Sequence, residues 1–344
     1  MRAVVITQPG GADVLQLADI PTPPVGDTDV SIAVVAAGIN GADLAQRRGV
    51  YPPPPGAPDW PGLEVSGTVS AVGGSVTGFA VGDEVCALVS GGGYAESVVV
   101  DERLVLPVPR GVTVESAAAL PEVAATVWSN LVMNAGLARG DTLLVHGGSS
   151  GIGTMAIQVG VALGCRVIAT AGSAEKVAVI ESLGAAGIRY RDEDFVEAVA
   201  RLTDGAGVDV VLDMVGGDYI ARDIRCLAIG GRIMVIANQS GDESTLDVGA
   251  LMRVRGRVWA TTLRSRPIGE RAQIVAAVAD GLWPLIESGR VQPIIDSVFA
   301  LAEASAAHER MESSAHIGKI LLSVGPPVEQ PVEPPAGAPV SPGR

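Results

Sequence analysis

Over the first third of the chain, apolar and polar positions alternate in short runs broken by Gly and Pro. VSIAVVAAGIN (30–40), EVSGTVSAVG (64–73), DEVCALV (83–89) and YAESVVV (94–100) are β-branched or alternating, with GG, PG and GD pairs between them. That spacing predicts an all-β, barrel-like domain. PPPPGAPDWPG (52–62) interrupts it as a rigid loop, because proline has no N–H to give a sheet. From about residue 121 the period changes. DTLLVHGG (141–148), CRVIATAG (165–172), VDVVLDMVGG (208–217) and GGRIMVIAN (230–238) read as buried strands. SGIGTMAIQVGVALG (150–164) and AEKVAVIESLGA (174–185) carry apolar residues at helical spacing between them. Such alternation predicts a parallel sheet with crossover helices. Residues 269–289 and 302–314 read as helical, and KILLSV (319–324) as a closing strand. The last 20 residues hold seven Pro without periodicity and read as a disordered tail.

The predicted fold class is therefore α/β, a parallel sheet with crossover helices joined to a β-barrel domain. Composition adds bounds to this picture. A chain of 344 residues suits two domains, and 44 Gly against 11 aromatics gives a core of small side chains. No run of apolar residues reaches the length of a membrane span, and the N-terminal MRAVVI reads as a strand, not as a signal peptide. A soluble, cytoplasmic protein is expected. A formal charge of −14 argues against nucleic acid or an anionic membrane as the main partner. Cys86, Cys165 and Cys226 fit neither a zinc spacing nor a disulfide framework, and read as small buried thiols.

The chemistry lies in His146-Gly147-Gly148-Ser149-Ser150-Gly151-Ile152-Gly153, between a predicted strand and a helix. Glycines let the backbone approach a pyrophosphate, and the helix start offers unpaired N–H groups and partial positive charge. The pattern is G-x-x-G-x-G, whose meaning comes from the βαβ unit around it. About 20 residues on, an NAD-preferring site places an acid for the ribose 2′-hydroxyl. This chain has Ala171-Gly172-Ser173, with Lys176 one helical turn away, so a 2′-phosphate and hence NADPH is favoured. Tyr190 and Arg191 stand where they would close the same pocket.

These motifs, together with NGADLAQRRGVYPPPPGAPDWPGLEVSG (40–67), LVHGGSSGIGTMAIQ (144–158), Lys176 with its TAGS lead-in and RYRDEDF (189–195), resemble the zinc-independent quinone oxidoreductases of the medium-chain dehydrogenase/reductase superfamily. The resemblance spans residues 1 to about 324. It implies a GroES-like catalytic domain of residues 1–122 and 264–324, a Rossmann NADPH-binding domain of 123–263, and the tail 325–344 outside both. Zinc enzymes of the superfamily carry Cys where this chain has Asn40 and His where it has Leu63; LPEVAATVW (120–128) has neither. Glu64 alone cannot make a tetrahedral N/S site, and His146, His308 and His316 are scattered, so no metal is expected. By resemblance Asn40 and Tyr51 line the cleft beside the nicotinamide, and Thr126, Asn238 and Leu263 contact its end of the cofactor. Ser150, Gly151, Ile152 and Gly153 hold the pyrophosphate, and Gly172, Ser173, Lys176 and Tyr190 surround the 2′-phosphate. Asp43 is read as a helix-start residue and His146 as filling a strand end.

Three functions fit: NADPH-dependent quinone reduction free of metal and flavin, reduction of an enoyl or α,β-unsaturated ketone, or a non-catalytic, crystallin-like NADPH-binding role. The expected partners are a small-molecule quinone or enone and a second copy of the chain, paired through VRGRVWATTL (254–263) into a homodimer.

Overall fold

Six strands are parallel; the three central ones, Thr142–Val145, Arg166–Ala171 and Val208–Asp213, are short apolar runs buried on both faces, whereas the edge strands Ala186–Arg189 and Arg257–Ala260 are partly exposed. Across the sheet they lie in the order Ala186–Arg189, Arg166–Ala171, Thr142–Val145, Val208–Asp213, Leu227–Val235 and Arg257–Ala260. Counted along the chain this is the 3-2-1-4-5-6 order of a dinucleotide-binding sheet, with its crevice where the order reverses. The computed structural model describes residues 1–241 and 243–325, and the predicted disordered tail lies outside the described residues apart from Gly325.

The second sheet is mostly antiparallel. Its order is Ile295–Ala300, Lys319–Ser323, Asp29–Gly38, Glu64–Val72, Glu84–Leu88 and Val105–Pro107, with Ser97–Asp101 also pairing to Asp29–Gly38. Two of these strands come from the far end of the chain, which returns after the parallel sheet. The antiparallel match of Leu321 to Gly38 then sets Lys319 beside the end of the long strand. One apolar core runs under both sheets, from Val30, Ile32 and Val65 to Leu143, Val145 and Ile157.

The structure departs from the sequence reading in three places. Residues 269–289 form two helices, Ile268–Gly281 and Trp283–Glu287. Pro284 opens the second in its first turn, and Trp283 is held by an Nε1 bond to Pro107 O at 2.9 Å. The strand Ile295–Ala300 was not expected, since IDSVFA has neither alternation nor full burial and takes its place from Lys319–Ser323 alongside. Arg2–Ile6 is a strand as read, but its partner Leu15–Asp19 is polar enough to pass for a loop. Among the described residues no helix is long and apolar enough to cross a membrane.

Candidate active site

The phosphate loop is built by glycine at two points. Gly147 has φ +64°, a left-handed turn that lets the chain reverse after the first parallel strand. A Cβ on Gly153 would lie 2.2 Å from Gly147 O, so the helix Gly151–Leu163 sits directly on that turn. Ser150 is the N-cap, its Oγ accepting the Gly153 N–H at 3.0 Å. The N–H groups of Gly151 and Ile152 occupy the first two helical positions, where a helix has no acceptor of its own. Predicted residues Ser150, Gly151, Ile152 and Gly153 thus come together at one helix start, whose N–H groups are of the kind that can receive an anion.

The second part of the cradle is at the tips of the next two strands. Gly172 is overhung by Tyr190 and Arg191: a Cβ there would lie 2.8 Å from Tyr190 Oη and 3.3 Å from Arg191 Nε. Ser173 caps the following helix by accepting the Lys176 N–H, while the Lys176 ammonium donates to Ser314 O at 2.6 Å. No carboxylate replaces the glycine backbone at this corner. A bare loop on a helix start and a corner one strand away that carries Lys176 and Arg191 fit a nicotinamide dinucleotide.

A second polar cluster, which holds the predicted Asn40, is organised around Glu64, fully buried at the start of its strand. Gly38 leaves it room, since a Cβ there would come within 2.3 Å of Glu64 Oε1. Lys319 Nζ reaches Glu64 Oε1 at 2.6 Å, Asn40 Oδ1 at 2.7 Å and Ile39 O at 2.7 Å. Asn40 Nδ2 donates to the same Glu64 oxygen at 2.9 Å, and Glu122 N–H donates to the other, also at 2.9 Å. Both oxygens are therefore committed to protein donors, and Asn40 is fixed at both ends of its amide. Among the described residues no group of three or more His, Cys, Asp and Glu is placed to hold a metal ion.

Asp43 is the helix-start residue expected. Its carboxylate accepts the Asn40 N–H at 2.8 Å, the Gly62 N–H at 2.9 Å and the Tyr94 hydroxyl at 3.1 Å. Burial pushes its pKa up to about 6, with those hydrogen bonds working against it. Behind Tyr94 lies His308, pushed down to about 3 by burial and by the Arg47 guanidinium, and so neutral. His146 is a core residue: Nε2 pairs with Asp223 at 2.8 Å and its ring stands edge-on to Phe195 and Tyr219.

Tyr51 follows the helix Gly41–Arg47 on the bend before the proline run and is partly buried. Burial raises its hydroxyl pKa, and Glu122 adds to the effect. Glu122 itself is pushed up to about 8, first by burial and then by the Glu64 carboxylate, so it carries its proton at neutral pH. Arg264 stands over Tyr51, its Cζ 5.6 Å from the ring centre. Leu263 is buried just after the sixth parallel strand, and Asn238 follows the fifth. The Asn238 backbone packs on Gly216, where a Cβ would come within 2.8 Å of it. Thr126 lies in the helix Pro121–Val127, its carbonyl accepting the Asn130 amide at 2.8 Å. Sequence reasoning missed Lys319, Glu122 and Arg264. Two of these sit beyond the Rossmann segment and none carries a motif.

Comparison with known proteins adds a family. The zinc-binding dehydrogenase family matches residues 183–322, and the alcohol dehydrogenase GroES-like domain matches 26–110. A quinone oxidoreductase of Pseudomonas aeruginosa is 34% identical over 91% of this chain and 96% of its own length. Among solved structures, an Escherichia coli quinone oxidoreductase complexed with NADPH superposes with a TM-score of 0.84 at 30% identity, over 94% of this chain and all of that one. An NAD-dependent alcohol dehydrogenase gives 0.84 at 34%, over 94% of this chain and all of that one. The CurK enoyl reductase gives 0.82 at 26%, over 94% and 98%.

Proposed function

Because the chain belongs to the zinc-independent quinone oxidoreductases of the medium-chain dehydrogenase/reductase superfamily, we propose that it is an NADPH-dependent quinone reductase working without metal or flavin. The observation that carries this reading is the closed bonding of Glu64 and Asn40 onto Lys319. A side chain with both oxygens occupied offers no open ligand for a Lewis acid, so an acceptor reduced here is already electrophilic, as quinones are.

Bound NADPH supplies the hydride. The chain's own residues supply position, which is worth several orders of magnitude in rate when the reacting atoms are held in contact. Ser150, Gly151, Ile152 and Gly153 take the pyrophosphate on the helix start, and Gly172, Ser173, Lys176 and Tyr190 take the 2′-phosphate. The bare Gly172 corner beside Tyr190 and Arg191 is what favours NADPH over NADH. Thr126, Asn238 and Leu263 flank the nicotinamide, and Asn40 and Tyr51 line the acceptor side. Residues 1–122 with 264–324 serve as the catalytic lobe and 123–263 as the cofactor lobe. The edge strand Arg257–Ala260, unpaired on one side among the described residues, pairs two copies into a homodimer.

A second reading keeps the fold and changes the acceptor to an enone. Glu122, protonated at neutral pH, and Tyr51 favour it, since reduction of a C=C bond needs a proton delivered to the α-carbon. Likeness to an enoyl reductase supports it too. The test follows NADPH and NADH oxidation by EDTA-treated protein with an ortho-quinone and an enone in parallel. Fast NADPH oxidation with the quinone alone is expected, and Tyr51→Phe lowers it only modestly. Turnover of the enone alone, collapsing in Tyr51→Phe, assigns the alkene reductase. Stoichiometric NADPH binding with neither acceptor turned over leaves the non-catalytic role.

A further inference from the structure

Arg264 is the strangest charged residue in the molecule. It is 4% exposed, yet neither Nη1 nor Nη2 has a hydrogen-bond partner among the described residues. Its Nε donates to Ser90 O at 2.6 Å, which anchors the loop and uses one of the five donors of a guanidinium. A second buried arginine, Arg271, bonds the same residue through Nη1 to Ser90 Oγ at 2.5 Å and leaves its own Nε unpartnered. Gly91 has φ +154°, and a Cβ there would lie 3.1 Å from Arg264 Nη2, so the loop is shaped closely around the guanidinium. The other side of the group faces the Tyr51 ring at 5.6 Å, on the acceptor side of the cleft. Burying an unpaired cation and leaving its donors unmade works against folding. A purely structural clamp to Ser90 needs neither the charge nor the two free Nη groups.

We propose that Arg264 receives the acceptor's carbonyl oxygen and holds the oxyanion that forms on it when hydride is delivered. The inference rests on the hydride-transfer reading above. Hydride forms a new C–H bond at the acceptor carbon, the π pair of the conjugated carbonyl moves onto oxygen, and the dihydronicotinamide is oxidised. A proton from solvent then neutralises the oxygen. The planar fork of Arg264 carries paired N–H groups that can meet that oxygen, and a charge-assisted bond from a buried guanidinium is strong. It supplies at the acceptor what a metal supplies elsewhere in the superfamily.

The test uses 4-nitrophenolate as an oxyanion probe and 4-nitroanisole as its neutral counterpart, titrated into the full-length protein loaded with NADP⁺. Wild type is expected to bind the anion, and Arg264→Met to bind it at least about tenfold more weakly while binding the ether equally. The thermal midpoint of Arg264→Met is expected to match or exceed wild type, because an unpaired buried charge has gone. Where quinone turnover is measured, kcat falls more than KM rises, and added guanidinium restores part of it. Arg264→Gln repeats the titration should Arg264→Met not fold. Equal anion binding in wild type and variant, or none in wild type, overturns the proposal. Arg264-dependent anion binding in a protein that reduces no quinone instead removes the quinone reading and leaves the oxyanion site standing.

Discussion

Lysine is read from sequence as a solvated surface residue, because its ammonium is almost never buried without a partner. Lys319 is 4% exposed and sits in the centre of a buried polar cluster, with Glu64 and Asn40 both bonded to it. The pair is a case in which breaking costs more than making, since desolvation of two charges offsets their attraction. Lys319→Met strands the Glu64 carboxylate and is expected to lower stability by about 3–5 kcal/mol in urea unfolding. Lys319→Met combined with Glu64→Gln is expected to recover most of that loss, as the stranded charge is removed. Equal destabilisation by the single and double variants would place the cost in lost packing instead. Asn40 and Tyr51 could be singled out at this scale from the run that holds them, whereas Glu122 and Arg264 could not. Their chemistry comes from burial and from neighbours far along the chain: Arg264 bonds a residue 174 positions away.

At the scale of elements, the turn between first strand and helix is the best-specified piece of the molecule. Local sequence is enough there, because Gly147, Ser150 and Gly153 act on one another within seven residues. Gly153→Ala places a methyl 2.2 Å from Gly147 O, a backbone atom that cannot swing aside as a side-chain tip would. The helix start is expected to shift off its turn, at a cost of about 1–3 kcal/mol in stability. NADPH affinity by calorimetry falls with it by about tenfold, roughly 1.4 kcal/mol. Unchanged affinity would mean that the cofactor does not use this helix start. Ile295–Ala300 shows the opposite limit, since its six residues are all of intermediate burial and show no period. It becomes a strand because Lys319–Ser323 offers it an edge, a fact that no window of its own sequence contains.

For the whole molecule, the informative surface is the edge of the parallel sheet. Trp259 is 50% exposed on the last strand, with Ile229 and Met252 exposed at 60% and 71% on neighbouring elements. Open strand edges flanked by large apolar side chains are pairing surfaces, and proteins that leave them open tend to use them. Trp259→Asp sets a charge on that edge and is expected to shift the mass from dimer to monomer in light scattering at micromolar concentration. A monomeric wild type would overturn the homodimer, and a dimeric Trp259→Asp would move its interface elsewhere.

Sequence by itself determined the fold class, the order of its two kinds of sheet and the phosphate loop, because each depends on periodicity or on residues within one turn of each other. The run from Asn40 to Gly67 likewise carried the family, and with it the position of the cleft. Only the tertiary structure decided what surrounds that cleft. The chain has to return from beyond residue 290 to pair Leu321 with Gly38 before Lys319 can meet Glu64 and Asn40. It has to fold the segment after the sixth strand against the loop at Ser90 before Arg264 is buried with its donors unpaired. Charge, burial and proton affinity at such a point are sums over neighbours brought in by packing, so they have no local signature in the sequence.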